Sequence, residues 1–154
     1  MKMFLSRYCS KVDGNGRFSI PAPYRNVMQN KSSIFLYAYP SFVNQCIEVC
    51  TEDAIAHLYE YIENLPMFSP ERTALSSALF SGSEELTVDS KGRVGMSKTL
   101  FDFADITNES LFAGKGDRFE IWNPKRFEEH FQESRDAAKT FVRNKQLLQL
   151  KMDT

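Results

Sequence analysis

The chain lacks the features that mark several large classes of protein. No run approaches the roughly eighteen apolar residues that a membrane-spanning helix needs. The opening Met1-Lys2-Met3-Phe4-Leu5-Ser6-Arg7 lacks the long apolar stretch of a secretory signal, so a cytoplasmic protein is expected. Cysteine is scarce: Cys9, Cys46 and Cys50 are odd in number and too few for a disulfide scaffold, so reduced thiols are expected. Cys46-x-x-x-Cys50, with His57 seven residues later, lacks the second ligand pair that short-spaced zinc clusters carry, and no metal or cofactor is assigned. No glycine-rich phosphate loop occurs either: Gly114-Lys115-Gly116-Asp117 is too short and reads as a hairpin turn. His57 and His130 lie on expected helices with no recognisable Ser or Cys nucleophile motif beside them, so no small-molecule substrate and no enzyme activity is inferred.

An excess of charge of one sign is also missing, since the net charge is −1. Its distribution is uneven. Residues 1–33 carry six bases and one acid, a net +5, with Lys31 among the bases; residues 34–87 carry one base and eight acids, a net −7; the remainder is near neutral. A basic first segment on an otherwise acidic chain makes an electrostatic footprint for an anionic partner possible without a basic pI. It fits a chance excess on a solvated face equally well.

What the chain does contain is a repeat. Val12-Asp13-Gly14-Asn15-Gly16-Arg17-Phe18-Ser19-Ile20 is matched by Val88-Asp89-Ser90-Lys91-Gly92-Arg93-Val94-Gly95-Met96, 76 residues later. Ile47-Glu48-Val49 is matched by Phe119-Glu120-Ile121 at a separation of 72, as a shorter loop in the second copy would give. Strands are expected near 4–11, 17–20, 34–39 and 46–50, then 84–89, 93–96, 110–114 and 118–122. Thr51 is positioned to cap a helix through Glu63, Ser69-Pro70 opens another to about Phe80 that Gly82 ends, and Asn123-Pro124 starts the equivalent helix of the second copy. Each copy thus reads as strand, turn, strand, short helix, strand, strand, helix. One such copy leaves sheet edges unpaired, and two in one chain can pair them about a pseudo-twofold axis. The expectation is one compact α+β unit, in which 7–53 is the first repeat, 54–82 connecting helices, 83–126 the second repeat and 127–154 a C-terminal helix.

The Asp-x-x-Gly-Arg turn has a local physical reading. The aspartate carboxylate accepts backbone N–H groups of its own turn, and the glycine supplies a positive φ without steric cost. Arg17 and Arg93 then open the next strands with their guanidinium groups at the hairpin edge. A purely structural turn, with Arg17 paired to Asp13 or to an acid elsewhere, is the alternative. Pro21-Ala22-Pro23-Tyr24-Arg25 continues the first copy and is expected to bring Arg25 to the side of Arg17. Guanidinium forks suit phosphate and guanine contacts. The second copy has Ser97 and Phe101 where the first has Pro21 and Arg25, so Phe101 is expected in the core and the first copy is expected to dominate any binding.

On Met3-Phe4, Tyr8, the two Asp-x-x-Gly-Arg turns, Ser19-Ile20-Pro21, Arg25, Tyr39-Pro40, the region from Leu65 to Leu79 and Phe119-Glu120-Ile121-Trp122, the sequence resembles the MraZ family of bacterial transcriptional regulators. The resemblance runs from about residue 3 to 134. It implies two AbrB-like swapped-hairpin repeats and a homo-oligomeric ring, an octamer or dodecamer. It further implies binding to direct repeats in double-stranded promoter DNA of the division and cell-wall gene cluster, in the cytoplasm at the nucleoid. By position, the DNA-facing residues it implies include Asp13, Gly16 and Arg17, with Asp89, Gly92 and Arg93 as their counterparts. Arg7, Lys11, Asn15, Arg25 and Lys91 complete the candidate DNA-binding set. The competing reading is a ring-forming scaffold that binds a protein partner through the acidic middle segment. The stretch from Arg135 to Lys151 is expected to be helical, as a basic arm, a packing element or a frayed end.

Overall fold

The computed structural model describes residues 2–30 and 35–153; Lys31 of the basic segment and Ile34, the expected start of the third strand, lie outside the described residues. The elements are β1 (Arg7–Lys11), β2 (Arg17–Ser19), α1 (Ala22–Asn30), β3 (Phe35–Pro40), β4 (Ile47–Cys50), α2 (Glu52–Glu63), α3 (Pro70–Ser76), which runs into a π-helical turn (Ser77–Ser81), β5 (Glu84–Thr87), β6 (Arg93–Gly95), α4 (Lys98–Phe103), β7 (Glu109–Gly114), β8 (Arg118–Trp122) and α5 (Pro124–Asp153). The repeated order read from the sequence is present. The first strand is shorter than expected, because Ser6 adopts φ 69° and breaks it, leaving Phe4 to bridge Gly116.

Strand pairing exposes why the two copies cannot be separated. In one sheet the order is β1-β7-β8-β4-β3-β5, and β2 pairs with β6 in a two-stranded ribbon. All pairs are antiparallel. At the sheet centre Glu48 faces Glu120, and in the ribbon Phe18 faces Val94. Each of these residues is opposite its own repeat-equivalent, which antiparallel strands permit only on a twofold axis. The first strand of each copy pairs with the third strand of the other, β1 with β7 and β5 with β3. The edges that each repeat would expose alone are therefore covered by its twin.

The main core lies on the ribbon side of the sheet and includes Phe4, Phe18, Tyr24, Leu36, Val49, Phe101, Phe112 and Phe119. A second cluster, with Tyr39, Cys50, Ala54, Ile62 and Leu79, lies under α2 and α3. Ser69 caps α3 as expected, accepting a hydrogen bond from the Arg72 N–H at 3.2 Å. Thr51 stands at the N-cap of α2 but makes no side-chain cap bond, contrary to expectation. Its side chain is enclosed in the packing, 1% exposed, and Oγ1 has no hydrogen-bond partner among the described residues.

Residues Met1–Asn123 form one compact unit and Pro124–Thr154 another. The second is a single helix, so the expected helix start at Asn123-Pro124 and the helical stretch from Arg135 belong to one element of 30 residues. Its far half leaves Phe141, Leu148 and Met152 exposed. No helix among the described residues is long and apolar enough to cross a membrane.

Two outcomes test this packing. A buried hydroxyl without a partner costs about 1–3 kcal/mol, so Thr51→Val, which keeps the shape, is expected to raise stability by about 1 kcal/mol in denaturant titration; the loss expected of a removed cap would contradict it. Burial pushes the Glu48 carboxyl above its ordinary range, opposed by Arg118 and reinforced by Glu120, with Tyr39 and Lys115 as smaller influences that lower it. The folded state then takes up this proton more readily than the unfolded state, so folding is penalised as pH rises from the ordinary carboxylate range through the raised folded value. Glu48→Gln is accordingly expected to raise the midpoint of thermal unfolding at pH 7, with the gain fading toward about pH 4.

Candidate nucleic-acid interface

The two Asp-x-x-Gly-Arg turns are built alike. Asp13 Oδ1 accepts the N–H groups of Asn15 at 2.8 Å and Arg17 at 2.9 Å; Asp89 Oδ1 accepts those of Lys91 and Arg93, both at 2.9 Å. In each, the aspartate N–H donates to the arginine carbonyl and the glycine N–H donates to the aspartate carbonyl. Gly16 and Gly92 take φ of 75° and 79°, the left-handed region that glycine tolerates without cost. The backbone N–H groups hold both carboxyls below their ordinary range, those of Arg17 and Arg93 contributing most. Both carboxylates thus hold their charge to lower pH than a free aspartate does.

The ribbon joins these turns. Phe18 and Val94 face the core, so Arg17, Ser19, Arg93 and Gly95 share the outward face. Arg17 is opposite Gly95 and Ser19 is opposite Arg93, which makes the two arginines diagonal neighbours, roughly 7–8 Å apart. Ile20 N–H donates to Gly92 O at 2.8 Å and Met96 N–H to Gly16 O at 3.0 Å, tying each strand to the turn of the other repeat. The arginines differ in engagement. Arg93 Nε is 3.1 Å from Asp89 Oδ2, an exposed pair of small energetic weight, whereas Arg17 makes no ion pair among the described residues.

Arg25 is not where local spacing places it. Tyr24 anchors α1 in the core, with ring centroids 5.2, 5.4 and 5.0 Å from Phe4, Tyr8 and Phe119 and its hydroxyl donating to Ser6 O at 2.8 Å. One residue further, about 100° around the helix, Arg25 emerges against the second turn, where Nη1 donates to Lys91 O at 3.1 Å. Its side chain covers Gly92 instead of joining Arg17. Phe101, its counterpart, is 5% exposed and packs edge-on against Phe18 at 5.9 Å, in the core as the sequence leads one to expect. Ser97, which replaces Pro21, caps α4 by accepting the Leu100 N–H and also binds the Glu84 carboxylate.

Arg7 and Lys11 are not brought to this surface. Along β1, Ser10 Oγ donates to Ser19 O of the ribbon and Tyr8 packs on Tyr24, so Arg7, Cys9 and Lys11 point to the opposite face of the sheet. Asn15 and Lys91 are exposed at the turn tips. On the sheet face away from the ribbon, sequence reasoning missed a polar cluster: Glu120, 3% exposed, accepts the Trp122 Nε1–H at 2.9 Å and lies beside Cys46. Burial pushes the Cys46 thiol far up and that of Cys50 up to about 11, so both remain protonated thiols. Among the described residues no group of three or more His, Cys, Asp or Glu is arranged to hold a metal ion.

This architecture defines an α+β protein of two interlocked β-rich repeats that together present one pair of arginine turns. Comparison with known proteins agrees. A family model described as "MraZ protein, putative antitoxin-like" matches residues 79–148. The transcriptional regulator MraZ of Rickettsia canadensis (strain McKiel) is 39% identical over 138 residues, covering 90% of this chain and 93% of that protein. The protein of the same name from Pelagibacter ubique (strain HTCC1062) is 40% identical over 136 residues, covering 88% of each. The chain belongs to the MraZ family, a family of transcriptional regulators and not of enzymes.

The glycines of the turns give a direct test. A Cβ on Gly92 would overlap the Arg25 side chain and sit at an unfavourable φ, whereas Gly14 has open space around it. Gly92→Ala is expected to cost about 1–2 kcal/mol in denaturant unfolding and Gly14→Ala close to nothing. Equal effects would show that the turn does not depend on the left-handed glycine.

Proposed function

We propose that the chain is a sequence-specific regulator that binds direct repeats in double-stranded promoter DNA of the division and cell-wall gene cluster, its own promoter included, as a homo-oligomeric ring in the cytoplasm at the nucleoid. The observation that carries this reading is the ribbon, which holds Arg17 and Arg93 on one exposed face between two rigid turns. Strands of three residues span roughly 10 Å, and the major groove, about 12 Å wide, admits a two-stranded ribbon. Asp13, Asn15, Gly16, Lys91 and Gly92 shape the turns, Arg17 and Arg93 reach phosphate or base edges, and Arg25 supports the second turn; Arg7 and Lys11 act only as distant charge. A single subunit with so few cations binds DNA weakly at physiological salt. Several subunits meeting consecutive DNA repeats raise the affinity by about 10² to 10⁴ without new contacts.

A scaffold that binds a protein partner is the second reading. It is favoured by α2, α3 and the loop between them, where Glu52, Asp53, Glu60, Glu63 and Glu71 stand exposed and Tyr61 and Phe68 are 63% and 93% exposed. The experiment that separates the two is binding to own-promoter and shuffled DNA at several salt concentrations, with mass by light scattering. Arg17→Glu is expected to weaken promoter binding by roughly tenfold or more, at least ~1.4 kcal/mol, with mass unchanged and Lys11→Glu close to wild type. A wild-type oligomer without preference for promoter DNA would hand the function to the scaffold.

A further inference from the structure

The two repeats brace each other's turns with chemically different side chains. At equivalent positions, Phe101 covers Gly16 and Arg25 covers Gly92, each reaching across from the other copy. The exchange is reciprocal in geometry and unequal in charge. A Cβ on Gly16 would come within 3.3 Å of the Phe101 ring, so the first turn rests on a buried hydrocarbon surface. The second rests on a guanidinium. Arg25 Nη1 holds the Lys91 carbonyl at 3.1 Å, and Nε is buried with no hydrogen-bond partner among the described residues.

The charges around the turns therefore differ. Beside the second are Lys91, Arg93 and Arg25, with Asp89 as the acid within the turn. Beside the first are Arg17 and Lys98 with Asp13 and Asp102, and Lys98 Nζ is 2.6 Å from the Asp102 carboxylate. Among the described residues the first turn is near neutral and the second carries a surplus of two positive charges. A cavity of about 450 Å³ lies beside the second turn, walled by Ala22, Arg25 and Met28 of α1 and by Val88, Asp89 and Gly92.

We propose that Arg25 is a cross-repeat positioning residue that arms the second turn, so that the stronger phosphate anchor of the DNA surface belongs to the repeat whose own sequence lacks an equivalent arginine. Arg25 holds the backbone of Lys91 and Gly92 in shape and adds its positive charge there. Arg17 and Arg93 remain the side chains that reach the nucleic acid. The proposal rests on the DNA-binding reading above, and it has a part that can be measured without DNA.

Two variants separate brace from charge. Arg25→Met keeps the apolar stem over Gly92 and removes both the charge and the hydrogen bond; Arg25→Lys keeps the charge and removes the planar fork. Without DNA, amide hydrogen exchange at Lys91, Gly92 and Arg93 is expected to quicken about tenfold in both variants, a change of ~1.4 kcal/mol in local opening, with Asn15, Gly16 and Arg17 unchanged. With own-promoter DNA, Arg25→Met is expected to lower the slope of log affinity against log salt by less than about 1 per contacting subunit, since Arg25 adds charge without meeting a phosphate itself, and Arg25→Lys to preserve it. Arg25→Met combined with Arg93→Ala should lose less than the product of the single losses, while Arg25→Met with Arg17→Ala should lose the full product. Exchange that quickens equally in both turns, or coupling of Arg25 to Arg17 instead of Arg93, would overturn the proposal. Wild type without promoter preference would remove the DNA reading itself and would show in the parent protein before any variant is made.

Discussion

Antiparallel pairing of repeat-equivalent residues is the constraint on which the rest of the molecule depends. Glu48 faces Glu120 in the sheet and Phe18 faces Val94 in the ribbon, so one pseudo-twofold axis passes through both. With that axis set, each repeat's first strand closes the other's edge, and each turn receives a hydrogen bond from the strand of its twin. Within a copy β3 pairs with β4 and β7 with β8, and the other pairings among the described strands cross between copies. Residues Met1–Asn123 accordingly form a single compact unit, although the sequence that encodes it is duplicated.

The symmetry is close in the backbone of the turns and relaxed in chemistry and in element length. Asp13 and Asp89 accept the same pair of N–H groups, and both glycines sit at the same positive φ, because a five-residue turn admits few solutions. Where repeats meet other surroundings, they diverge. Pro21 opens α1, and Ser97 caps α4 while binding Glu84. Tyr24 ties α1 to the ring cluster of the core, whereas Leu100 fills the matching place without a hydroxyl. The result is one outward ribbon with two arginines supported from beneath by an aromatic ring on one side and a guanidinium on the other.

The Glu48–Glu120 pair shows what a twofold axis does to side chains. Any residue placed there meets its own counterpart, so an acid retained in both repeats brings two carboxyls face to face. Arg118, whose Nη1 donates to the Tyr39 hydroxyl at 3.0 Å, and the Trp122 indole N–H offset part of that repulsion. The sequence contained both glutamates and their spacing, yet nothing local indicated that they would be opposed.

Much of the fold is legible in the sequence, because the signals that carry it are local. The turn aspartates, the left-handed glycines, Ser69 before Pro70 and the duplicated strands act within a few residues, and those elements stand where the spacing puts them. Thr51 failed as a cap because packing, not local geometry, claimed its side chain. Arg25 is the clearest case. Its sequence position gives its angle around α1, but which turn lies on that side is decided by the exchange of strands between repeats. Arg7 and Lys11 belong with it, since alternation along β1 gives them a face while only the location of the ribbon makes it the far one. The sequence by itself determined the repeat, its turns and its family. The tertiary structure decided which repeat supports which turn, because contacts between residues some 70 positions apart depend on pairing that no short stretch of chain encodes.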